Sequence, residues 1–155
     1  MIELVLVCHE DLAIHFLKVA EFLFKNAQNC QTVAICEGEH PDEHKAKMDA
    51  AIKAAGQSGG PILILTDLFG GTACNVSLPY IKKDKVEVLS GVNLAMFIRA
   101  IQWRKRFPDI GLVELATECA KYAREGIRVC SQGLVLSSPE EGKGKKGKKN
   151  ASDSF

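Results

Sequence analysis

Four short apolar runs alternate with stretches of helical spacing, and this alternation is the feature that most constrains the fold. The runs are residues 2–8 (IELVLVC), 31–36 (QTVAIC), 62–66 (ILILT) and 85–89 (KVEVL). The near-continuous run 2–8 suits a central strand of a parallel sheet, buried on both faces, and the other three read as further strands. Between them, Leu12, Phe16, Val19, Ala20, Leu23 and Phe24 recur at helical spacing. Pro41 and Asp42 open a second helix carrying Ala46, Ala50, Ala51 and Ala54, since proline suits a first turn. Further helices are expected from about 73 to 81, through Leu94, Met96, Phe97, Ile98 and Ile101, and over 109–125 after Pro108, where Gly126 is a stop signal. Strands and helices in alternation imply right-handed crossovers. The expected class is α/β: a doubly wound, mostly parallel sheet flanked by helices. Residues 127–136 (IRVCSQGLVL) are read as one last, antiparallel strand.

The chain has 155 residues, 46% hydrophobic and 25% charged, which is enough to bury one core and is unlike a disordered chain. Residues 1–136 are read as one folded domain and 137–155 as a disordered Lys-rich tail. The formal charge of +1 conceals an asymmetry. Taking the five lysines and three acids of 139–155 from the 20 basic and 19 acidic residues leaves a body at −1. Such a body has no basic field to draw it to nucleic acid. No apolar run reaches the roughly 18 residues of a membrane helix. The opening segment carries Glu3 and lacks a basic start, so it reads as a strand and not as a signal peptide. The six cysteines form no C-x-x-C pair and no metal-like spacing. They are expected to be reduced thiols of a cytoplasmic protein, with no metal and no cofactor.

The chemistry is expected beyond the carboxyl ends of the strands, where open α/β sheets bind ligands. His9 ends the first strand, Asp67 and Gly70-Gly71-Thr72 follow the third, and Ser90-Gly91-Val92-Asn93 follows the fourth. If the first and third strands are neighbours, His9 and Asp67 face each other. A carboxylate on one imidazole nitrogen fixes the tautomer and frees the other nitrogen to attack. Gly70 and Gly71 allow close backbone approach, Thr72 offers a hydroxyl, and a following helix N-terminus attracts phosphate. The remaining histidines, His15, His40 and His44, fall in helical or turn context and are expected to be solvated. Cys74 near a helix start is a second candidate nucleophile, with no activating partner in the sequence.

At these residues the chain resembles the enzyme IIA domain of the mannose family of the phosphoenolpyruvate-dependent sugar phosphotransferase system. The resemblance rests on Val7-Cys8-His9 with Asp11-Leu12-Ala13, on Leu65 through Thr72 with Asn75, on Ser90 through Met96, and on Ala123 through Ile127. It implies catalytic His9 and Asp67, with phosphate held at Gly70, Gly71 and Thr72. It implies phosphate from the carrier HPr, taken up on His9 and passed to a IIB component for carbohydrate uptake, with a membrane permease complex beyond. It also implies a homodimer that exchanges a C-terminal strand, here about 127–136.

The family usually has glycine after the histidine, serine before it and proline where Ala73 stands; this chain has Glu10, Cys8 and Ala73. A carboxylate at Glu10 is expected to repel an incoming phosphate and weaken transfer. Two other readings follow from the same residues. One is a regulatory phosphoprotein of the same fold, not coupled directly to transport. The other is a receiver-like module phosphorylated on Asp67, with Glu10 and Asp11 imitating its acidic cluster.

Overall fold

The computed structural model describes residues 1–25, 27 and 29–133. In chain order these form β1 (Glu3–His9), α1 (Leu12–Phe24), β2 (Cys30–Ile35), α2 (Pro41–Ala55), β3 (Ile62–Thr66), α3 (Thr72–Ser77), β4 (Val86–Ser90), α4 (Leu94–Arg106), α5 (Leu112–Glu125) and α6 (Cys130–Gly133). Single 3-10 turns follow α2 at Gly56–Ser58 and α3 at Leu78–Tyr80. The four strands are parallel in the order β2-β1-β3-β4. The expected α/β architecture is the observed one.

Strand alternation sorts the core into two layers. Leu4, Leu6 and Cys8 of β1 join Leu63 and Leu65 of β3 against α1, α4 and α5. Val5 and Val7 join Val33, Ile35, Ile62 and Ile64 against α2 and α3. Both faces of β1 are therefore covered, which is why its sequence shows no polar alternation. Arg104 of α4 is 1% exposed, and its Nη1 donates to the carbonyls of Ile2 (2.8 Å) and Asn29 (2.9 Å). A buried cation thus ties the starts of β1 and β2 together.

Four local expectations are corrected. Residues 127–129 form no strand, and 130–133 are a short helix. The Ile127 amide bonds to Arg124 O and the Arg128 Nε to Glu125 O, so the chain satisfies the end of α5 in place of a sheet ladder. Residues 134–136 of the expected strand, and the tail 137–155, lie outside the described residues. Helix α5 begins at Leu112 and not at 109, because Pro108 sits in a turn closed by Ile110 N–H to Phe107 O at 3.1 Å. Helix α3 stops at Ser77 because Pro79, lacking an amide hydrogen, cannot continue it.

The fourth correction concerns His44, which is buried at 7% exposure and not solvated. It shares the inner face of α2 with Met48, Ala51 and Ala55, and its Nε2 lies 3.2 Å from Glu39. His40 is exposed but structural: it is the N-cap of α2, with Glu43 completing a capping box.

Candidate functional site

Strand order places the site. In the sheet, β1 lies beside β3 with Val7 opposite Thr66, so His9, the last residue of β1, and Asp67, the first residue past β3, meet at the carboxyl edge. One oxygen of Asp67, Oδ2, accepts from the His9 main-chain amide at 2.8 Å and contacts the His9 ring Nδ1 at 2.9 Å. The other, Oδ1, accepts from the Leu68 amide at 2.8 Å. The Asp67 side chain is 12% exposed, whereas that of His9 is 43% exposed. Because a carboxylate only accepts, the contact calls for the Nδ1–H tautomer and leaves the Nε2 lone pair free. Partial burial pushes the Asp67 carboxyl up, but the amide and ring of His9 and the Leu68 amide outweigh it and hold it below the ordinary range.

The Gly70–Thr72 turn packs directly on the imidazole. A Cβ at Gly71 would stand 3.2 Å from His9 Cε1 and 3.3 Å from Leu68 O, a tight fit in which the ring or the turn must give by a few tenths of an ångström. Gly70 has φ +78°, a left-handed conformation that favours glycine. Gly71 is the N-cap of α3 and has no side-chain cap, so first-turn amides of that helix keep no intrahelical acceptor. The Gly71 amide itself is spent on Leu68 O at 3.1 Å. Thr72 is exposed at the first helical position. The sequence-expected residues His9, Asp67 and Gly71 thus come together, with Gly70 and Thr72 on the adjoining turn.

The Ser90–Asn93 segment has a supporting role. The amides of Gly91 and Val92 both donate to Thr66 O, at 2.9 and 2.8 Å, which fixes the chain just before Asp67. Asn93 caps α4 by accepting from Met96 N–H at 2.8 Å. Asn75, noted in the sequence only as part of a motif, donates from Nδ2 to Gly70 O at 3.1 Å and pins the glycine turn. No spacing rule reveals that bond, because it depends on how α3 leaves the turn.

Cys8 and Cys74, the cysteines adjoining His9 and the glycine turn in sequence, are both buried. Cys8 is fully buried, and burial, reinforced by the Asp67 charge, pushes its thiol up to about 12. Cys74 is buried at 1% exposure with no base bonded to it. None of the six cysteines is in a disulfide. Among the described residues no group of three or more His, Cys, Asp or Glu is placed to hold a metal ion. Two large apolar side chains, Leu68 and Phe69, lie exposed at 62% and 82% between Asp67 and Gly70.

Fold and site together define a doubly wound α/β domain built around a carboxylate-held, half-exposed histidine. The family model described as the phosphotransferase-system fructose IIA component (EIIA-man) matches residues 3–117, and the chain belongs to that family. The fructose-specific EIIA component of Bacillus subtilis (strain 168) is 25% identical over 86% of this chain and 90% of its own length. The mannose-specific EIIAB component of Escherichia coli (strain K12) is 30% identical over 82% of this chain, which spans only 39% of that relative. Among solved structures, the phosphotransferase-system component EIIA from Streptococcus agalactiae superposes with a TM-score of 0.73 at 26% identity, covering 85% of this chain and 99% of that one. The mannose/sorbose-specific IIA subunit from Enterococcus faecalis gives 0.71 at 26% identity over 90% and 98%. The chain is therefore a phosphotransferase component of a sugar phosphotransferase system, the class of activity that the sequence motifs imply.

Proposed function

We propose that His9 is the phosphoryl acceptor, with phospho-HPr as donor and a IIB component as recipient, in the cytoplasm. The observation that carries this reading is the bond from His9 Nδ1 to a carboxylate that also holds the His9 amide. The Nε2 lone pair attacks phosphorus, and a new N–P bond forms as the donor's N–P bond breaks, its electron pair returning to the donor imidazole. His9 keeps its Nδ1 proton, and the positive charge that develops on the ring lies against Asp67. Transfer to the recipient reverses the roles.

Gly70, Gly71 and Thr72 stand on the approach to the ring, where α3 amides and the Thr72 hydroxyl can receive phosphoryl oxygens. The exposed Leu68 and Phe69 favour a protein donor over a small phosphate ester, since two large apolar side chains beside a polar site suit a protein partner. Asp67 as the phosphorylated group is disfavoured, because both its oxygens are engaged and its side chain is 12% exposed. A homodimer is favoured by the place of β4 at the end of the strand order and by exposed Ile127 and Val129, which a second copy can cover. Among the described residues no helix is long and apolar enough to cross a membrane.

The test is incubation with phosphoenolpyruvate, enzyme I and HPr, followed by mapping of the label. A base-stable, acid-labile label on His9, absent from His9→Ala, is the expected result. Label retained by His9→Ala removes the assignment.

A further inference from the structure

Glu10 follows the phosphoacceptor directly, and its backbone is left-handed, with φ +47°. A side chain held in that region is kept there by its surroundings. Here two bonds do so, and both reach toward the end of β2. The Glu10 amide donates to Ile35 O at 3.0 Å, and Glu10 Oε1 accepts from the Glu37 amide at 3.0 Å. Ile35 is also the residue that pairs with His9 in the β1–β2 register.

The loop on which Glu10 is anchored is itself tied down. Glu39 Oε2 accepts from the Cys36 amide at 3.1 Å, and Glu39 Oε1 pairs with Lys47 of α2. Lys47 Nζ also donates to Ala34 O at 2.9 Å. The 36–40 segment is thus joined to both β2 and α2. His9 is gripped from the β3 side by Asp67 and, through the next residue, from the β2 side by this loop.

We propose that Glu10 is a positioning residue for phosphoryl transfer, its carboxylate strapping the His9 turn to the Glu37 amide so that His9 keeps both its bonds to Asp67. The proposal rests on His9 being the acceptor. It differs from simple repulsion, the effect expected from the sequence, in that one carboxylate oxygen is committed to a main-chain donor. A glycine in its place accepts the left-handed backbone but has no group to hold the loop. Such a turn keeps its shape at equilibrium and loses its restraint, which lowers the fraction of His9 in attack geometry.

The experiment compares wild type, Glu10→Gly and Glu10→Gln with phospho-HPr as donor, and measures amide exchange at Glu37 and His9 in each. Glutamine keeps an acceptor oxygen and removes the charge. The expected result for Glu10→Gly is a kcat lower by about tenfold, within the roughly 100-fold that an ångström of misplacement costs, with KM for phospho-HPr unchanged and with faster exchange at both amides. Glu10→Gln is expected to retain most of kcat and the slow exchange. Equal or faster transfer in Glu10→Gly overturns the proposal, and if Glu10→Gln is also faster than wild type, repulsion by the charge is the correct account. A glutamine variant as slow as the glycine one, or wild-type Glu37 exchanging at the open-loop rate, overturns it too. In all these cases wild type is labelled on His9; absence of that label removes the acceptor assignment and this proposal with it.

Discussion

Asp67 Oδ2 meets both the main-chain amide and the ring Nδ1 of His9, 58 positions away in sequence. Backbone and side chain of His9 are thereby oriented by one atom. Any change that moves the carboxylate disturbs the position and the tautomer of His9 together.

Asp67→Asn is therefore expected to slow phosphorylation by about 10²–10³-fold, the usual cost of losing one oriented electrostatic partner, while the protein stays folded. Initial rates with phospho-HPr and circular dichroism check both parts. The same substitution has a pH signature. The folded Asp67 carboxyl lies below its unfolded value, so its stabilisation is complete above the unfolded pKa, about 3.9, and is lost as pH falls through the lower folded value. The stability gap between wild type and Asp67→Asn is expected to close in that acid range; a gap that is constant down to the acid limit contradicts it.

Gly71→Ala is expected to impair transfer through sterics alone. Gly71 has φ −72° and ψ 170°, which alanine adopts freely, so no backbone strain enters. The new methyl meets His9 Cε1 and Leu68 O. A stability loss of about 1–3 kcal/mol and a clear fall in kcat should appear together; an unaffected rate would mean that the ring has room to move.

Phe69→Asp separates docking from chemistry. With Phe69 82% exposed, stability should change by no more than about 0.5 kcal/mol. KM for phospho-HPr should rise several-fold if the donor docks on this apolar side chain, since the substitution puts a charge there. Steady-state kinetics at varied HPr decide it, and an unchanged KM places the donor elsewhere.

Arg104→Met tests the buried tie between strand starts. Methionine fills much of the volume but removes the guanidinium donor from the carbonyls of Ile2 and Asn29, of which Asn29 O keeps the Leu4 amide at 3.1 Å. The expected loss is about 2–5 kcal/mol, read as a lower urea midpoint. A loss under about 0.5 kcal/mol would show that water or repacking replaces the guanidinium.

The thiols should divide by burial. Cys8 and Cys119, both pushed up to about 12 by burial, are expected to resist a thiol reagent at pH 8 in the folded protein. Cys130, which is exposed, should react at once. Rapid modification of Cys8 would mean that the helix layer covering β1 opens readily.

Much of this protein is determined locally and is legible in the chain. The apolar run 62–66 names its strand because both of its faces are buried, and Pro41 marks a helix start because proline suits a first turn. The meeting of His9 with Asp67 follows once β1 and β3 are neighbours. What the tertiary structure decided is how groups distant in sequence share atoms and space. The bond from Glu10 to Glu37, the packing of Gly71 on the imidazole, the burial of His44 beside Glu39 and the reach of Arg104 to two carbonyls all depend on chain segments brought within a few ångströms by packing. The same reason accounts for residues 127–129. Their β-branched composition suits a strand, but a strand exists only where another edge supplies its hydrogen bonds, and here the end of α5 takes them first.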